Sequence, residues 1–136
     1  MSLLELDNIV VEFPTRRGPL EAVKGLSLDL DEGEILGLVG ESGAGKSITG
    51  AAITGLIEPP GLIRSGEVRL RGARIDNLPA DKMRRIRGKE IGAIFQDPLT
   101  SLNPVYTVGE QLVDTMRVHL GLDQKTVRQR AIDWLA

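Results

Sequence analysis

Residues 40–47 contain three glycines, a lysine and two serines in an order that suits the binding of phosphate groups. The segment matches the G-x-x-x-x-G-K-[ST] pattern of a phosphate-binding loop, the P-loop. Its glycines permit a sharp turn in which the backbone amides of residues 43–47 point inward at a polyphosphate. Lys46 can reach the β and γ phosphates, and the hydroxyl of Ser47 is a hard oxygen ligand suited to Mg²⁺. The pattern predicts a nucleoside triphosphate site formed by Gly40, Glu41, Ser42, Gly43, Ala44, Gly45, Lys46 and Ser47.

The segments on either side of this loop have the composition of a buried strand and a helix. Residues 35–39 form a short apolar run, which is typical of a parallel strand buried on both faces. Residues 47–57 are compatible with a helix, and its N-terminus would present unpaired amides and a positive dipole end to the same phosphates. A strand, a P-loop and a helix in this order predict an α/β fold.

Alternating apolar residues indicate a small antiparallel unit around this core. Residues 6–13 and 26–30 each alternate apolar with polar side chains and end at turn-forming residues, so they predict two half-buried strands. Residues 66–72 form a further alternating strand that is a candidate to rejoin them. Residues 79–87 predict a short helix, and residues 91–95 predict another apolar strand.

The last third of the chain has a helical pattern. Thr107 and Glu110 have the spacing of a capping box, and apolar residues recur at helical intervals after them. Asp123 is a candidate cap for a final helix that carries Trp134 on its apolar face. The two helices belong to a region distinct from the strand-rich first part of the chain.

Composition excludes several classes of function. The 136 residues carry a formal net charge of −2, which provides no positive field to recruit nucleic acid. The chain has no cysteine, so it has neither a disulfide framework nor a thiolate metal site. No window approaches the apolar length that a membrane span requires. Because the net charge is slightly negative, we expect no nucleic-acid partner.

A second motif indicates more closely which type of nucleotide-binding protein the sequence encodes. The segment 94–104 reads Ile-Phe-Gln-Asp-Pro-Leu-Thr-Ser-Leu-Asn-Pro. Together with the P-loop and the order of elements, it resembles the ATP-binding subunits of ABC transporters, in the dipeptide, oligopeptide and nickel importer branch. The resemblance extends from Leu3 to Ala136. It implies a P-loop NTPase fold of the ABC type: an antiparallel β subdomain, a P-loop core and the start of a helical subdomain.

The same resemblance assigns further site residues. Gln96 corresponds to the Q-loop glutamine, which contacts Mg²⁺ or the attacking water. A neutral amide can do both without adding charge beside the phosphates. Phe13 is the candidate for stacking on adenine, although a phenylalanine at a strand end is also an ordinary core residue. Val23 is a candidate to line the same adenine pocket, so the implied cofactors are ATP and Mg²⁺.

The resemblance also implies partners and a place in the cell. Such subunits pair with a second nucleotide-binding subunit, contact transmembrane permease subunits and depend indirectly on a solute-binding protein. They lie at the cytoplasmic face of the membrane and hydrolyse ATP to energise import. The hydrolytic signature Leu-Ser-Gly-Gly-Gln, the Asp-Glu strand end and the later histidine do not occur in residues 1–136. We expect these motifs to lie beyond residue 136, in a nucleotide-binding domain of which residues 1–136 are the first part.

Two alternatives remain open at this point. A nucleotide-binding remnant that does not hydrolyse ATP would have the same P-loop and lack the same motifs. An ABC-type ATPase of DNA repair would share the P-loop and the Q-loop, but the absence of a basic excess argues against it. We also expect the strand at residues 35–39 to have unpaired edges, because its neighbours in such sheets come later in the chain.

Overall fold

The computed structural model describes residues 2–97 and 100–136. The chain divides into two compact units, of which the first ends at Met83 and the second begins at Arg84. Among the residues described, no helix is long and apolar enough to cross a lipid bilayer.

A four-stranded antiparallel sheet forms most of the first unit. Its strands are β1 (Leu4–Thr15), β2 (Gly18–Leu30), β3 (Leu62–Leu70) and β4 (Ala73–Arg74), in the spatial order β2-β1-β3-β4. All neighbouring pairs are antiparallel, and β3 pairs with β1 as the sequence predicted. The antiparallel prediction is therefore confirmed.

The strand β2 is longer than its sequence pattern indicated. It begins at Gly18 and contains Pro19, whereas the alternating pattern starts only at Leu26. Among the described strands β2 lies at the edge of the sheet and pairs only with β1. An edge strand tolerates proline and charged side chains because one side of it makes no ladder hydrogen bonds.

The interior of the sheet consists of aliphatic side chains. Six residues there are buried: Leu6, Ile9, Val11, Val23, Val68 and Ile75. Burying an aliphatic side chain of this size stabilises a fold by roughly 1.5–3 kcal/mol. The alternation in β1 is interrupted at Asp7 and Asn8, where its pairing with both neighbours shifts register.

Gly66 explains how β3 accommodates this irregularity. Its φ is +90°, and a Cβ atom at this position would lie 2.5 Å from the carbonyl oxygens of both Asp7 and Asn8. Only glycine permits such an approach of two backbones. The glycine of the predicted strand is therefore a packing requirement of the sheet.

A buried carboxylate connects β3 to β4. Asp76 accepts hydrogen bonds from the Val68 N–H at 2.8 Å and from the guanidinium of Arg74, whose Nη2 is also at 2.8 Å. Arg74 Nη1 donates to Glu67 at 2.8 Å. Burial acts to raise the pKa of Asp76, but the hydrogen bonds from Arg74 and Val68 outweigh it and hold that pKa below its usual value. The ion pair therefore favours the charged carboxylate.

Within the described residues, four helices complete the two units. They are α1 (Lys46–Thr54), α2 (Ala80–Ile86), α3 (Val108–Leu120) and α4 (Gln124–Leu135). The predicted capping box is present: Thr107 accepts from the Glu110 N–H, and Glu110 accepts from the Thr107 N–H at 2.8 Å. The Asp123 carboxylate caps α4 as expected. Helices α3 and α4 pack around Met116, Val127 and Ala131.

Two predicted strands are absent. Residues 35–39 form no strand among the described residues, and Ile35 and Val39 are 96% and 92% exposed. Residues 91–95 contribute only one isolated parallel bridge, between Arg87 and Ile91. A parallel strand needs hydrogen-bonding neighbours along its length and cover on both faces, and the described elements do not provide both for these runs. The strand predictions were wrong for the described residues, and the expected lack of edge partners for residues 35–39 is not tested because no strand forms there.

Candidate functional site

The P-loop leads directly into α1, as the sequence predicted. Helix α1 begins at Lys46, and its N-cap residue, Gly45, has no side chain to bond the first-turn amides. The first turn also contains no acidic side chain. The amides and the positive end of the helix dipole are therefore available to an anion.

Two glycines of the loop adopt left-handed conformations. Gly43 has a φ of +81° and Gly45 a φ of +85°. An L-amino acid with a side chain pays a steric penalty in this region, so the backbone of the loop requires glycine at these two positions. Gly45 belongs to the P-loop pattern, whereas Gly43 occupies one of its variable positions. These turns place the loop backbone at the beginning of α1.

Gly45 also lies against the strand β2. A Cβ atom added to it would be 2.5 Å from the Ala22 carbonyl oxygen and 3.3 Å from Val23 Cγ2. The loop and the edge strand are thus packed backbone against backbone, which leaves no room for a side chain. This contact brings β2 to the site, and the glycine pattern alone did not reveal it.

The amide of Ala44 closes a turn within the loop. Its N–H donates to the Glu41 carbonyl oxygen at 3.1 Å. Ala44 is exposed, and this four-residue turn pairs its donor locally. The role of Ala44 in binding phosphate stays a prediction.

The ammonium group of Lys46 bridges the start of the loop. Its Nζ donates to the carbonyl oxygen of Gly40 at 2.6 Å and to that of Glu41 at 2.7 Å. Hydrogen bonds from a charged donor are stronger than neutral ones. They hold the ammonium group of Lys46 across the loop. It therefore lies next to the backbone amides that the P-loop pattern predicts to surround a phosphate group.

The two hydroxyl groups of the first helical turn differ in their surroundings. Ser47 is exposed, and its hydroxyl makes no hydrogen bond with the residues that the structure describes. Thr49 is only 3% exposed, and its hydroxyl donates to the Gly45 carbonyl oxygen at 2.9 Å. Ser47 is therefore free to bind a cation, whereas Thr49 holds the loop. No sequence motif identifies Thr49, and its only signal is its position four residues after Gly45.

A cavity of about 640 Å³ lies beside the P-loop within the first unit. It is lined by β2 from Leu20 to Leu26, by Leu38 and Val39, and by Gly43, Ala44, Lys46 and Thr49. Small-molecule sites usually have volumes of about 300–1,000 Å³. Val23, which the family resemblance places near the adenine, is one of the lining residues. The cavity is therefore large enough for a ligand of nucleotide size, and Lys46 lies on its wall.

The first turn of α1 offers one oxygen ligand that suits Mg²⁺. Within residues 2–97 and 100–136, no group of three or more His, Cys, Asp or Glu side chains could hold a metal ion. Mg²⁺ in nucleotide sites takes few protein ligands and completes its coordination with phosphates and water. The exposed hydroxyl of Ser47 suits that role.

Phe13 lies in a packed environment. A Cβ atom at Gly61 would be 2.4 Å from Phe13 Cε1 and 2.8 Å from Ile57 Cγ2, so the ring lies against the backbone of Gly61. Phe13 is half-buried and does not line the cavity beside the P-loop. These contacts are those of a packing residue, and its role in adenine stacking stays a prediction.

Gln96 belongs to the second unit and is exposed. The site of the first unit is built without it, so its catalytic and metal-binding role also stays a prediction. Two residues of the motif that contains it, Pro98 and Leu99, lie outside the described residues. Asn103, later in the motif, exchanges hydrogen bonds with Gln111: its N–H donates to Oε1 at 2.9 Å and its carbonyl accepts from Nε2 at 3.0 Å.

Comparison with known proteins supports the family that the P-loop and the second motif indicated. Residues 23–136 match the model of the ABC transporter family. The dipeptide transport ATP-binding protein DppD of Escherichia coli (strain K12) is 43% identical over 135 residues, which are 99% of this chain and 41% of DppD. The oligopeptide transport ATP-binding protein OppD of Bacillus subtilis (strain 168) is 42% identical over 134 residues, which are 98% of this chain and 37% of OppD. The chain thus spans less than half the length of these relatives.

A solved structure shows the same fold. The ATP-binding cassette MJ0796, in a dimeric post-hydrolysis state bound to ADP and Pi, superimposes with a TM-score of 0.82 at 27% identity. The match covers 97% of this chain and 55% of the MJ0796 chain. The predicted fold class is confirmed, and the peptide-transport relatives confirm the predicted branch. The chain therefore belongs to the ABC transporter family.

Proposed function

We propose that this chain is the ATP-binding part of a subunit that energises the import of peptides or a similar small solute. The observation that carries the proposal is the loop of residues 40–47, whose left-handed glycines lead into a helix with an uncapped, positive N-terminus. The cavity beside it supports a ligand as large as a nucleotide. The relatives' names as dipeptide and oligopeptide transport ATP-binding proteins support the class of solute.

Each site residue has a defined task in this proposal. The triphosphate supplies an anhydride bond whose hydrolysis releases free energy, and Mg²⁺ neutralises charge on its oxygens. The amides of Gly43, Gly45, Lys46 and Ser47 donate to phosphate oxygens, and the Ser47 hydroxyl binds Mg²⁺. Lys46 exchanges its two carbonyl acceptors for the β and γ phosphates. Val23 contacts the nucleotide inside the cavity.

Two further residues act in the complete protein. Gln96 binds Mg²⁺ or orients the water that attacks the γ-phosphate, because its amide both donates and accepts. Phe13 presents a π face that adenine can stack on, after a change of the packing seen around Gly61. Neither role follows from the contacts of the first unit, so both depend on the family resemblance.

The partners follow from the same proposal. A second nucleotide-binding subunit, identical or related, is supported by the dimeric state of MJ0796. Permease subunits in the membrane and, indirectly, a solute-binding protein complete the system. The subunit lies peripherally at the cytoplasmic face of the membrane.

Nucleotide titration tests the binding step directly. Isothermal titration of the purified chain with MgATP, MgADP and adenosine should give saturable binding of the first two and much weaker binding of adenosine. Phosphate groups provide the contacts that adenosine lacks. Circular dichroism of the same sample controls for folding, and a folded chain that does not bind MgATP would overturn the proposal.

A nucleotide-binding module without hydrolysis is the second candidate. It shares the loop of residues 40–47 with the first candidate and differs from it in not using a Leu-Ser-Gly-Gly-Gln signature and an Asp-Glu strand end for hydrolysis. Release of phosphate from MgATP separates the two candidates. The import proposal predicts hydrolysis only when those motifs are supplied by the rest of a full-length subunit, whereas the second candidate predicts none in either case.

A further inference from the structure

The carbonyl group of Gly45 accepts two hydrogen bonds from a single residue of α1. The Thr49 hydroxyl donates to the Gly45 carbonyl oxygen at 2.9 Å, and the Thr49 N–H donates to the same oxygen at 2.8 Å. A carbonyl oxygen has two lone pairs, so it can accept both bonds. Thr49 is only 3% exposed, which keeps water from replacing its hydroxyl. The direction of this carbonyl is therefore fixed more tightly than a helical hydrogen bond alone would fix it.

The same peptide group carries the N–H of Lys46. The bond between Gly45 and Lys46 is trans, so the carbonyl and the N–H point in opposite directions within one plane. Because the carbonyl points along α1 toward Thr49, the N–H points out of the N-terminal end of the helix. It has no acceptor among residues 2–97 and 100–136. Whatever holds the Gly45 carbonyl thus also sets the direction of an amide that is available to an anion.

Gly45 needs this restraint because its own backbone is flexible. A glycine has no Cβ atom to limit rotation about its φ and ψ angles, so its peptide groups turn at low cost unless neighbouring contacts hold them. The strand β2 blocks one side of Gly45 through the close approach of the Ala22 carbonyl oxygen. Thr49 bonds the carbonyl on the side of the helix. Thr49 and Lys46 both line the cavity beside the P-loop, so the restrained peptide group belongs to the candidate site.

We propose that Thr49 is a positioning residue of this site, whose hydroxyl orients the backbone amide of Lys46 toward the phosphate groups of the nucleotide. This inference rests on the proposed function, because it specifies how the same site prepares one of its donors. The P-loop pattern ends at Ser47 and does not include Thr49. The apparent Kd of a ligand rises as the fraction of molecules in the binding-competent conformation falls, so the effect of the hydroxyl is measurable as affinity.

Thr49→Val tests the proposal because it removes the hydroxyl and keeps a branched side chain of similar size. The variant should bind MgATP about three- to tenfold more weakly, which is the scale of one net hydrogen bond. The binding of adenosine should stay unchanged, since adenosine has no phosphate group. Thr49→Ser keeps the hydroxyl and should retain most of the affinity for MgATP.

Thr54 provides a matched control within the same helix. Its hydroxyl donates to the carbonyl oxygen of Gly50, four residues earlier, also at 2.9 Å, and Thr54 is 9% exposed. It does not line the cavity beside the P-loop. Thr54→Val therefore removes an equivalent bond away from the site and should bind MgATP like the unmodified chain. NMR of the ¹⁵N-labelled chain adds a direct measurement: the amide resonance of Lys46 should shift in Thr49→Val and keep its position in Thr54→Val.

The possible results separate this inference from the proposed function. If the unmodified chain binds MgATP and folded Thr49→Val binds it equally well, the inference is overturned and the nucleotide site stands. An equal loss in Thr54→Val would also overturn it, because the stability of α1 would then be the cause. An equal loss for adenosine would overturn the assignment to phosphate.

A second pair of variants decides the matter if Thr49→Val does not fold. Thr49→Ala and Thr49→Ser differ only by the hydroxyl group, and alanine is the residue most favourable to a helix. Weaker MgATP binding by the alanine variant than by the serine variant supports the inference, and equal affinities overturn it. If the unmodified chain folds but does not bind MgATP, both proposals fail.

Discussion

The backbone of Gly45 lies directly against that of Ala22: a Cβ atom at Gly45 would be 2.5 Å from the Ala22 carbonyl oxygen. The P-loop and the edge strand β2 are therefore packed as closely as two backbones can be. The contact connects the residues of the P-loop to the wall of the cavity, which consists largely of β2. Both sides of the candidate nucleotide site thus belong to one packed unit.

Substitution of Gly45 by alanine should disrupt this packing. The left-handed φ of +85° costs a residue with a Cβ atom roughly 1–2 kcal/mol, and the clash with Ala22 adds to that cost. We expect Gly45→Ala to lower the free energy of unfolding by more than this conformational term and to abolish MgATP binding. Urea denaturation and nucleotide titration measure the two effects.

Gly43→Ala is the matched control for this variant. Gly43 has a similar φ of +81°, but nothing lies within 4 Å of the position of an added Cβ atom. It should therefore show only the conformational cost. Equal destabilisation by the two substitutions would contradict the argument that the contact with β2 matters.

Lys46→Ala should strongly weaken the binding of MgATP. The substitution removes the only lysine of the loop, and a charge-assisted hydrogen bond to phosphate is worth about 1.5–3 kcal/mol, or roughly 10- to 150-fold in affinity. Because Lys46 also bridges Gly40 and Glu41, the variant should show a modest loss of thermal stability. Titration at a temperature well below the melting transition separates the two effects, and unchanged affinity would refute the P-loop assignment.

The ion pair between Asp76 and Arg74 predicts a pH dependence of stability. Because the pKa of Asp76 is held below its usual value of about 3.9, the folded state binds this proton less readily than the unfolded state. Its contribution is therefore fully present above that usual value and is lost as the pH falls through the lower pKa of the folded state. Asp76→Asn should destabilise the chain near neutral pH, and the difference from the unmodified chain should shrink in acid.

Chemical denaturation at a series of pH values measures this difference. Asp29→Asn is a suitable control, because Asp29 is an exposed carboxylate on β2 of the same sheet. A gap between Asp76→Asn and the unmodified chain that stays constant down to the lowest pH would show that the ionised carboxylate is not what stabilises the sheet.

The capping box of α3 predicts an effect confined to the second unit. Thr107→Ala removes the acceptor for the Glu110 N–H and should destabilise α3 by about 1 kcal/mol. The hydrogen bond from the Thr107 backbone N–H is the main cause of the lowered pKa of Glu110, and the Thr107 hydroxyl adds to it. Because only the hydroxyl is lost, the pKa of Glu110 should rise partly toward its usual value, as NMR titration can show. Thr107→Ser, which keeps the hydroxyl, should preserve both properties.

Much of the site could be predicted from the sequence because its parts are local. The P-loop occupies eight consecutive residues, and its glycines, lysine and serine act through the backbone that they themselves form. The caps at Thr107 and Asp123 satisfy amides two or three residues away, so spacing alone identified them. The segment 94–104 carried the family resemblance in the same way.

Contacts between distant segments were decided only by the tertiary structure. No sequence pattern places the Ala22 carbonyl against Gly45, or Arg74 between Glu67 and Asp76. Residues 35–39 show the opposite case, a strand that the sequence predicts and the structure lacks. Their apolar composition favours burial, but it cannot supply the neighbouring strands that a parallel sheet requires. The sequence by itself determined the phosphate loop, the helix ends and the family. Packing between segments far apart in the chain determined which wall the loop faces and which apolar run forms a strand, because those interactions depend on partners that local spacing does not encode.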